Sequence, residues 1–128
     1  MTNEQKFRQL WTYLAEHPDI IRSPFTRKIE AWNILDLGPK LVGNYCPACN
    51  DAFEYGLPID PYLSHPIYRA SFCKYCPVDF GHGIETCNYN NESPYIKWEL
   101  AITREDSAKY AREISNLPWD RRKDDKTI

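Results

Sequence analysis

The sequence contains no long apolar run, no strong excess of either charge sign and no repeated segment, and these absences narrow what the chain can be. A transmembrane helix needs about 20 consecutive apolar residues, and no stretch of the 128 residues approaches that length. The opening MTNEQKFRQLWTYL turns amphipathic at once, without the basic and apolar regions of a secretory signal. The sequence therefore predicts one domain of ordinary size that works in the cytoplasm.

Cysteine is unevenly placed along the chain. The five cysteines are an odd number, and four of them form two Cys-x-x-Cys pairs, Cys46 with Cys49 and Cys73 with Cys76. A secreted disulfide scaffold would favour an even number spread along the chain, whereas thiols in a reducing compartment remain able to bind metal. Two such pairs supply the four thiolates of a tetrahedral site, and soft sulfur ligands select zinc over hard cations. The spacing predicts a structural zinc ion held by these four cysteines.

Several alternatives to this ligand set remain open. Cys87 is a rival for one ligand position, its other interpretation being a small buried apolar residue, and His82 is a weaker rival. An iron–sulfur cluster accepts the same four thiolates. A redox role is disfavoured because neither pair follows a predicted strand and opens a predicted helix, as a thioredoxin-like motif does. Asn50, directly after the first pair, favours a turn that would close a zinc knuckle.

The residues around the cysteines argue against chemistry at the metal. A catalytic zinc keeps a position open for water, and four thiolates close the shell. A deaminase requires His-x-Glu upstream of Pro-Cys-x-x-Cys, and that tripeptide does not occur. An HNH-type nuclease requires adjacent catalytic residues, whereas Asp60 and His65 are separated. The chain is predicted to be non-enzymatic, with an HNH-like metal-dependent nuclease using His65 or His82 as an alternative.

Helix signals lie on both sides of the cysteine region. Apolar spacing and cap residues predict a helical hairpin over residues 1–40 and two further helices over 93–119. Residues 41–92 have no sustained period and contain every cysteine, so a metal is expected to organise them. The mixed-charge residues 120–128 are expected to fray. The predicted fold is mostly α, with two helices before and two after a central irregular zinc-organised lobe in a single zinc-stabilised domain, 1–128.

The hairpin helices have well-marked ends and apolar faces. The first is predicted to begin at Thr2 or Asn3 and to end at the HPD of residues 17–19. The second has Ser23 as its cap and Pro24 at the first helical position, and the Gly38-Pro39 sequence is its stop signal. Trp11 and Trp32 are expected to share one core. The predicted apolar face of the second helix comprises Phe25, Ile29, Trp32 and Leu35.

Charge is distributed unevenly along the chain. Residues 41–94 contain two basic residues against six acidic ones, a net charge of −4, and a tetrathiolate zinc site would add about two further negative charges. Phosphate backbones are bound through clustered Lys and Arg, so this region favours a protein partner with a basic surface. A nucleic-acid-binding zinc module remains an alternative through the basic residues of the C-terminal segment: Arg104, Lys109, Arg112, Arg121, Arg122 and Lys123.

Aromatic residues are abundant between positions 45 and 98, where six of them are tyrosines outside the C-terminal helices. Two interpretations are possible. An irregular lobe with few aliphatic residues builds its core from aromatics. Alternatively, tyrosines provide large contact areas with polar tips and form a docking surface for another protein.

The motifs CPAC, CKYCPVDF, YIKW and ISNLPW together resemble those of a loose group of uncharacterised small proteins encoded by bacteriophages and prophages. The opening LWTYLAEHPD is similar to the first helix of that group, and Phe80 stands where the group has Trp. The resemblance implies a phage origin and a metal-organised fold, and it implies no activity. If the chain is phage-encoded, its partner is expected to be a host factor or a defence protein. The matching residues are Cys46, Cys49, Cys73, Cys76, Pro77, Phe80, Cys87, Tyr95, Trp98, Leu117, Pro118 and Trp119.

Overall fold

The computed structural model of the chain describes residues 1–38, 47–59, 76–80 and 92–120, with the backbone alone at positions 47, 49, 50 and 53. Five helices occur in these ranges, and the described residues contain no strand longer than an isolated bridge. The mostly α prediction is therefore confirmed for this part of the chain. The helices are α1 (Asn3–Glu16), α2 (Pro24–Ile34), α3 (Pro47–Gly56), α4 (Pro94–Leu100) and α5 (Arg104–Ser115).

The ends of α1 follow from its local sequence. The Thr2 hydroxyl accepts a hydrogen bond from the backbone N–H of Gln5 at 3.1 Å, and the Gln5 side chain accepts one from the Thr2 N–H at 2.8 Å. This reciprocal capping box satisfies two N–H groups that the helix itself leaves without partners. The helix ends at Glu16 because Pro18 disfavours helical backbone at His17, whose φ and ψ are −127° and 62°.

Three more helices begin at the caps that the sequence predicts. The Ser23 hydroxyl accepts a backbone hydrogen bond at 3.1 Å in the first turn of α2. The Thr103 hydroxyl accepts one from the N–H of Asp106, also at 3.1 Å, at the start of α5. Ser93 precedes Pro94 at the start of α4, where proline occupies the first helical position. The cap-plus-proline signals thus located the starts of α2 and α4 correctly, and the Thr103 cap located that of α5.

The prediction of irregular structure for residues 41–92 is wrong at α3. Pro47 occupies the first helical position, where its fixed φ is favourable and its missing N–H costs nothing. Ala48 and Ala52 lie four residues apart on the same face of the helix, and both are buried. Two alanines form a narrow apolar stripe, which is why the periodicity of the sequence gave so weak a helix signal here.

The buried face of α2 is also different from the one predicted. Phe25 was assigned to the core but is substantially exposed, and the buried face is rotated around the helix. The presence of both Trp11 and Trp32 in the core is confirmed. The buried residues of α2 are Arg27, Lys28, Ala31 and Trp32.

α1 lies at the centre of the described fold, with α2, α3 and α5 packed against it, while α4 packs against α5. Arg8 of α1 donates hydrogen bonds through Nη1 to the backbone carbonyls of Ser115 at 2.8 Å and Leu117 at 2.5 Å. Arg27 of α2 donates to the backbone carbonyl of Asp19, which follows α1. The same Arg27 nitrogen lies 3.4 Å from the Ser107 hydroxyl near the start of α5. α1 and α5 therefore run antiparallel.

Residues 76–80 are held against the segment that follows α5. The Asp79 N–H donates to the Pro118 carbonyl at 2.9 Å, and the Asp120 N–H donates to the Pro77 carbonyl at 2.8 Å. Trp119 packs its ring edge-on to Phe7 of α1, with 5.5 Å between centroids. Of the predicted frayed tail, residues 120–128, only Asp120 lies in the described part.

Candidate metal centre

The first cysteine pair lies at the start of a helix. Cys46 immediately precedes Pro47, the first residue of α3, and Cys49 is the third residue of that helix. The sequence argument against a redox pair required that no pair follow a strand and open a helix, and its helix half is wrong for this pair; residues 39–46, where a preceding strand would lie, are outside the described part. Asn50 lies within α3 and not in a turn, so its assignment to a knuckle turn is also wrong.

A helix start is a favourable place for metal-binding thiolates. The first turn of a helix carries a partial positive charge from its unpaired N–H groups, which stabilises nearby negative charge. Thiolate is the form of cysteine that binds metal. The positions of Cys46 and Cys49 therefore suit a pair of charged ligands.

Cys76 of the second pair is fixed in the core. It is 8% exposed and begins the short segment whose backbone is bonded to the residues after α5. Val78, two residues later, is fully buried and forms an antiparallel bridge with Trp119. These contacts fix the backbone directly after Cys76, the last residue of the second cysteine pair.

The core brings the two cysteine-bearing segments into one cluster. Ala48 and Ala52 of α3 belong to the same group of buried side chains as Cys76 and Phe80. The helix that carries Cys49 and the segment that begins at Cys76 thus pack into a shared core. Of the ligand set predicted from sequence, Cys46, Cys73 and the rival Cys87 lie outside the described residues, as does the side chain of Cys49. The described side chains include no group of three or more His, Cys, Asp or Glu placed to hold a metal ion.

α3 is linked to α1 by polar contacts as well as by packing. The Asn3 side-chain amide lies 3.3 Å from a carboxylate oxygen of Asp51 and 3.3 Å from one of Glu54. Distances at this upper limit are typical of weak hydrogen bonds. The start of α1 therefore contacts two of the six acidic residues counted between positions 41 and 94.

Three of the described aromatic residues of the central and C-terminal segments lie in the core. Phe80, Tyr95 and Trp98 are buried, and Trp98 packs edge-on against Trp11 with 4.8 Å between ring centroids. The Tyr95 ring lies 5.9 Å from that of Trp11 in a similar T-shaped arrangement. Offset and edge-on contacts of this kind stabilise a core beyond the area that they bury. For these residues the core interpretation is confirmed.

Two buried cations beside these rings were not anticipated from the sequence. Lys28 is 2% exposed, and its ammonium lies 2.5 Å from the Tyr95 hydroxyl and 4.8 Å from the ring centroid. The Arg27 guanidinium lies 4.6 Å from the centroid of Trp98. Lys and Arg are rarely buried, so a sequence pattern assigns them to the surface. The abundance of aromatic residues, which can form cation–π contacts, was the only feature of the sequence that could have predicted buried Lys or Arg.

The basic residues that the nucleic-acid alternative places on α5 are balanced by acidic residues of the same helix. Arg104, Lys109 and Arg112 share this helix with three acidic residues, which leaves it with no net charge. The remaining basic residues of that alternative, 121–123, lie outside the described part, as do Asp60, His65 and His82 of the nuclease alternative.

Comparison with other proteins adds no relative: no family model matches the chain, and no curated protein or solved structure is detectably similar to it. Among the described helices, none is long and apolar enough to cross a membrane.

Proposed function

We propose that the chain is a small, non-enzymatic, zinc-stabilised helical protein of phage type that acts by binding another protein, a host factor or defence protein if it is phage-encoded. The zinc ion is held by Cys46, Cys49, Cys73 and Cys76, and its role is to support the fold. The setting is the cytoplasm, that of the host cell for a phage product.

The observation that carries the metal part is the shared core of α3 and the segment that begins at Cys76. One cysteine pair spans the start of α3, and the other pair ends at Cys76. Both segments contribute side chains to this one cluster, which supports the proposal that a single ion binds both cysteine pairs. Residues 50–72 separate the pairs, and a shared ion would close the loop that they form. Closing a long loop restricts the unfolded chain more than the folded one, so the ion would stabilise the fold.

Binding, rather than catalysis, is favoured by where the matching motifs lie. The described residues of the phage-type motifs are largely core residues: Tyr95, Trp98, Phe80 and Cys76 are buried. Their role is therefore packing, which leaves interaction to the exposed surface.

The ligand set is testable by replacing each cysteine with serine, one at a time, in the full chain. Cobalt(II) substituted for zinc reports directly on thiolate ligation. Loss of the tetrahedral thiolate spectrum is expected on changing any of Cys46, Cys49, Cys73 or Cys76, and retention is expected for Cys87→Ser. Loss on changing Cys87 would place it in the site. An iron–sulfur chromophore in the freshly purified chain would replace the zinc assignment.

Protein binding is testable by capture from a bacterial lysate with zinc-loaded chain, followed by reconstitution with the purified candidate. The expected result is a binary complex that forms with the native chain and is lost with Cys46→Ser, whose lobe lacks its metal. DNA or RNA binding with a steep salt dependence, and no protein complex, would instead support the nucleic-acid alternative.

A further inference from the structure

Several large apolar side chains are exposed on segments that adjoin the two contacts of Arg27 with Asp19 and Ser107. They lie on the loop between α1 and α2, at the start of α2, and where α4 passes into α5. Ile21 and Ile102 are the most exposed, at 84% and 82%. Contiguous exposed apolar surface of this kind is uncommon on proteins that bind nothing, whereas single exposed residues are ordinary. The end patch comprises Ile20, Ile21, Phe25, Leu100 and Ile102.

Arg27 shows that the two halves of the end patch are neighbours. Its guanidinium donates to the carbonyl of Asp19, the residue before Ile20, and the same nitrogen lies 3.4 Å from the Ser107 hydroxyl in α5. The carboxylate of Glu99, the residue before Leu100, acts electrostatically on the same guanidinium. The segments that carry Asp19 and Ser107 therefore meet at one buried side chain.

The rim of the end patch is acidic. Residues 16–26 and 99–106, which form the two loops and the adjoining helix ends, contain five acidic residues and two arginines, a net charge of −3. One of these arginines, Arg22, is already paired, with its Nε 2.9 Å from Asp19 and its Nη1 bonded to Glu30. Including the buried Arg27 leaves a net charge of −2. An occupant with positive charge around an apolar centre is complementary to this surface.

We propose that the end patch is the docking site for a basic amphipathic segment of a partner protein, one that presents apolar side chains between lysines or arginines. This inference rests on the proposed protein-binding function and names its surface and the chemistry of its partner. A second copy of the chain is disfavoured because a symmetric contact would bring two acidic rims together. Nucleic acid and anionic membranes are disfavoured because they are negatively charged, like the rim of the end patch.

The test uses a short fluorescent amphipathic peptide of leucine and lysine, added to the zinc-loaded full chain and followed by anisotropy. A peptide with glutamate in place of every lysine is the charge control. We expect the lysine peptide to bind with an affinity that falls as salt rises, and the glutamate peptide not to bind. Ile21→Ser and Ile102→Ser should each weaken binding on the order of tenfold, as central apolar contacts do.

Matched control variants distinguish specific binding at the end patch from nonspecific binding of the peptide. Ile34 is an isoleucine at the opposite end of α2 and is 63% exposed, so Ile34→Ser should leave binding within about twofold, as expected outside the contact. Glu16→Lys, which suits the C-terminal end of α1, should weaken binding roughly twofold to fivefold. All variants should retain zinc and their helical circular dichroism.

Three results would overturn the docking site: equal effects of Ile34→Ser and Ile21→Ser, equal binding of the two peptides, or no binding of the lysine peptide at low salt. Self-association that Ile102→Ser abolishes would assign the patch to a second copy, and patch-dependent binding to anionic vesicles would assign it to a membrane. A captured protein partner that binds Ile21→Ser and Ile102→Ser as tightly as the native chain would refute the patch while leaving the protein-binding function intact. Conversely, peptide binding without any captured partner would refute only the broader function.

Discussion

The contact between Arg27 and Trp98 allows the energetic role of the buried cations to be measured. The guanidinium carbon lies 4.6 Å from the indole centroid, and both side chains are buried. Cation–π contacts contribute about 0.5–1 kcal/mol at exposed sites and about 2 kcal/mol or more when desolvated. We therefore expect a favourable coupling energy of about 2 kcal/mol between Arg27→Met and Trp98→Leu in a double-mutant cycle.

Neither single substitution by itself would isolate the coupling energy between Arg27 and Trp98. Trp98→Leu leaves unfilled volume beside Trp11 and should cost about 2–4 kcal/mol. Arg27→Met loses the bond to the Asp19 carbonyl, but it also removes a charge that is costly to bury, since desolvation lowers the pKa of Arg27. The cycle cancels these contributions and leaves the pairwise term.

Urea denaturation followed by far-ultraviolet circular dichroism, in zinc-containing buffer, measures the four free energies of unfolding. Lys109 and Tyr110 are a matched control: the ammonium lies 5.4 Å from the ring centroid, but Lys109 is exposed to solvent. Their cycle, Lys109→Met with Tyr110→Leu, should give no more than about 0.5–1 kcal/mol. An Arg27–Trp98 coupling no larger than this control would refute the assignment of a stabilising role to the buried guanidinium.

Three further predictions concern the helix ends. Arg8→Met should cost about 1–3 kcal/mol and accelerate amide exchange at the end of α5, because the Ser115 carbonyl loses a charged donor. The pKa of Asp19 is lowered by a backbone hydrogen bond and by the Arg22 side chain, so its stabilising effect should be present above about pH 3.9 and be lost as pH falls through the lowered native value. An NMR titration of the carboxyl carbon checks that direction. Thr103→Ala should cost about 1 kcal/mol by uncapping α5, measured by urea denaturation.

Each of these predictions has an internal control. Arg104 is exposed on the same helix that Arg8 caps, and Arg104→Ala should leave exchange at the end of α5 unchanged. Arg22→Gln should raise the pKa of Asp19 only part of the way, because the N–H of Ile21 still donates to the carboxylate at 2.8 Å. Thr12 lies in the middle of α1, and Thr12→Ala should not destabilise the chain as Thr103→Ala does. If a control variant had the larger effect in any of these pairs, the role assigned to the corresponding contact would be contradicted.

The helix ends were predictable because their signals are local. A serine or threonine cap, a proline at the first helical position and a residue before proline each restrict the backbone within a few positions. α1, α2, α4 and α5 all begin at such signals. α3 begins with Pro47 as well, but its buried face consists of two alanines. Alanine is too weakly apolar to give the periodic hydropathy pattern that predicts a helix.

The faces of the helices were less predictable because burial depends on distant partners. α2 buries Arg27 and Lys28 while Phe25 remains exposed, since Trp98 and Tyr95 supply ring faces for both cations. Those rings come from α4, far along the chain. A pattern that ranks residues by hydropathy alone therefore predicts Trp32 correctly but misses Arg27 and Lys28 on the buried face of α2.

The spacing of the cysteines predicts a ligand set, but it does not predict the local structure around each pair. Spacing alone identifies two thiol pairs, because each pair places two sulfur atoms within reach of one ion. Whether a pair lies in a turn or at a helix start depends on the backbone around it, and Cys46 precedes α3 directly. The segment that begins at Cys76, by contrast, is held by hydrogen bonds of Pro77 and Asp79 to residues after α5, which no local motif predicts.

Metal analysis of the full chain, purified without added metal, tests the central claim most directly. The account predicts one equivalent of zinc in the native protein and none in a Cys46→Ser, Cys73→Ser variant that also loses thermal stability. A native chain that is folded, helical and free of metal would contradict it.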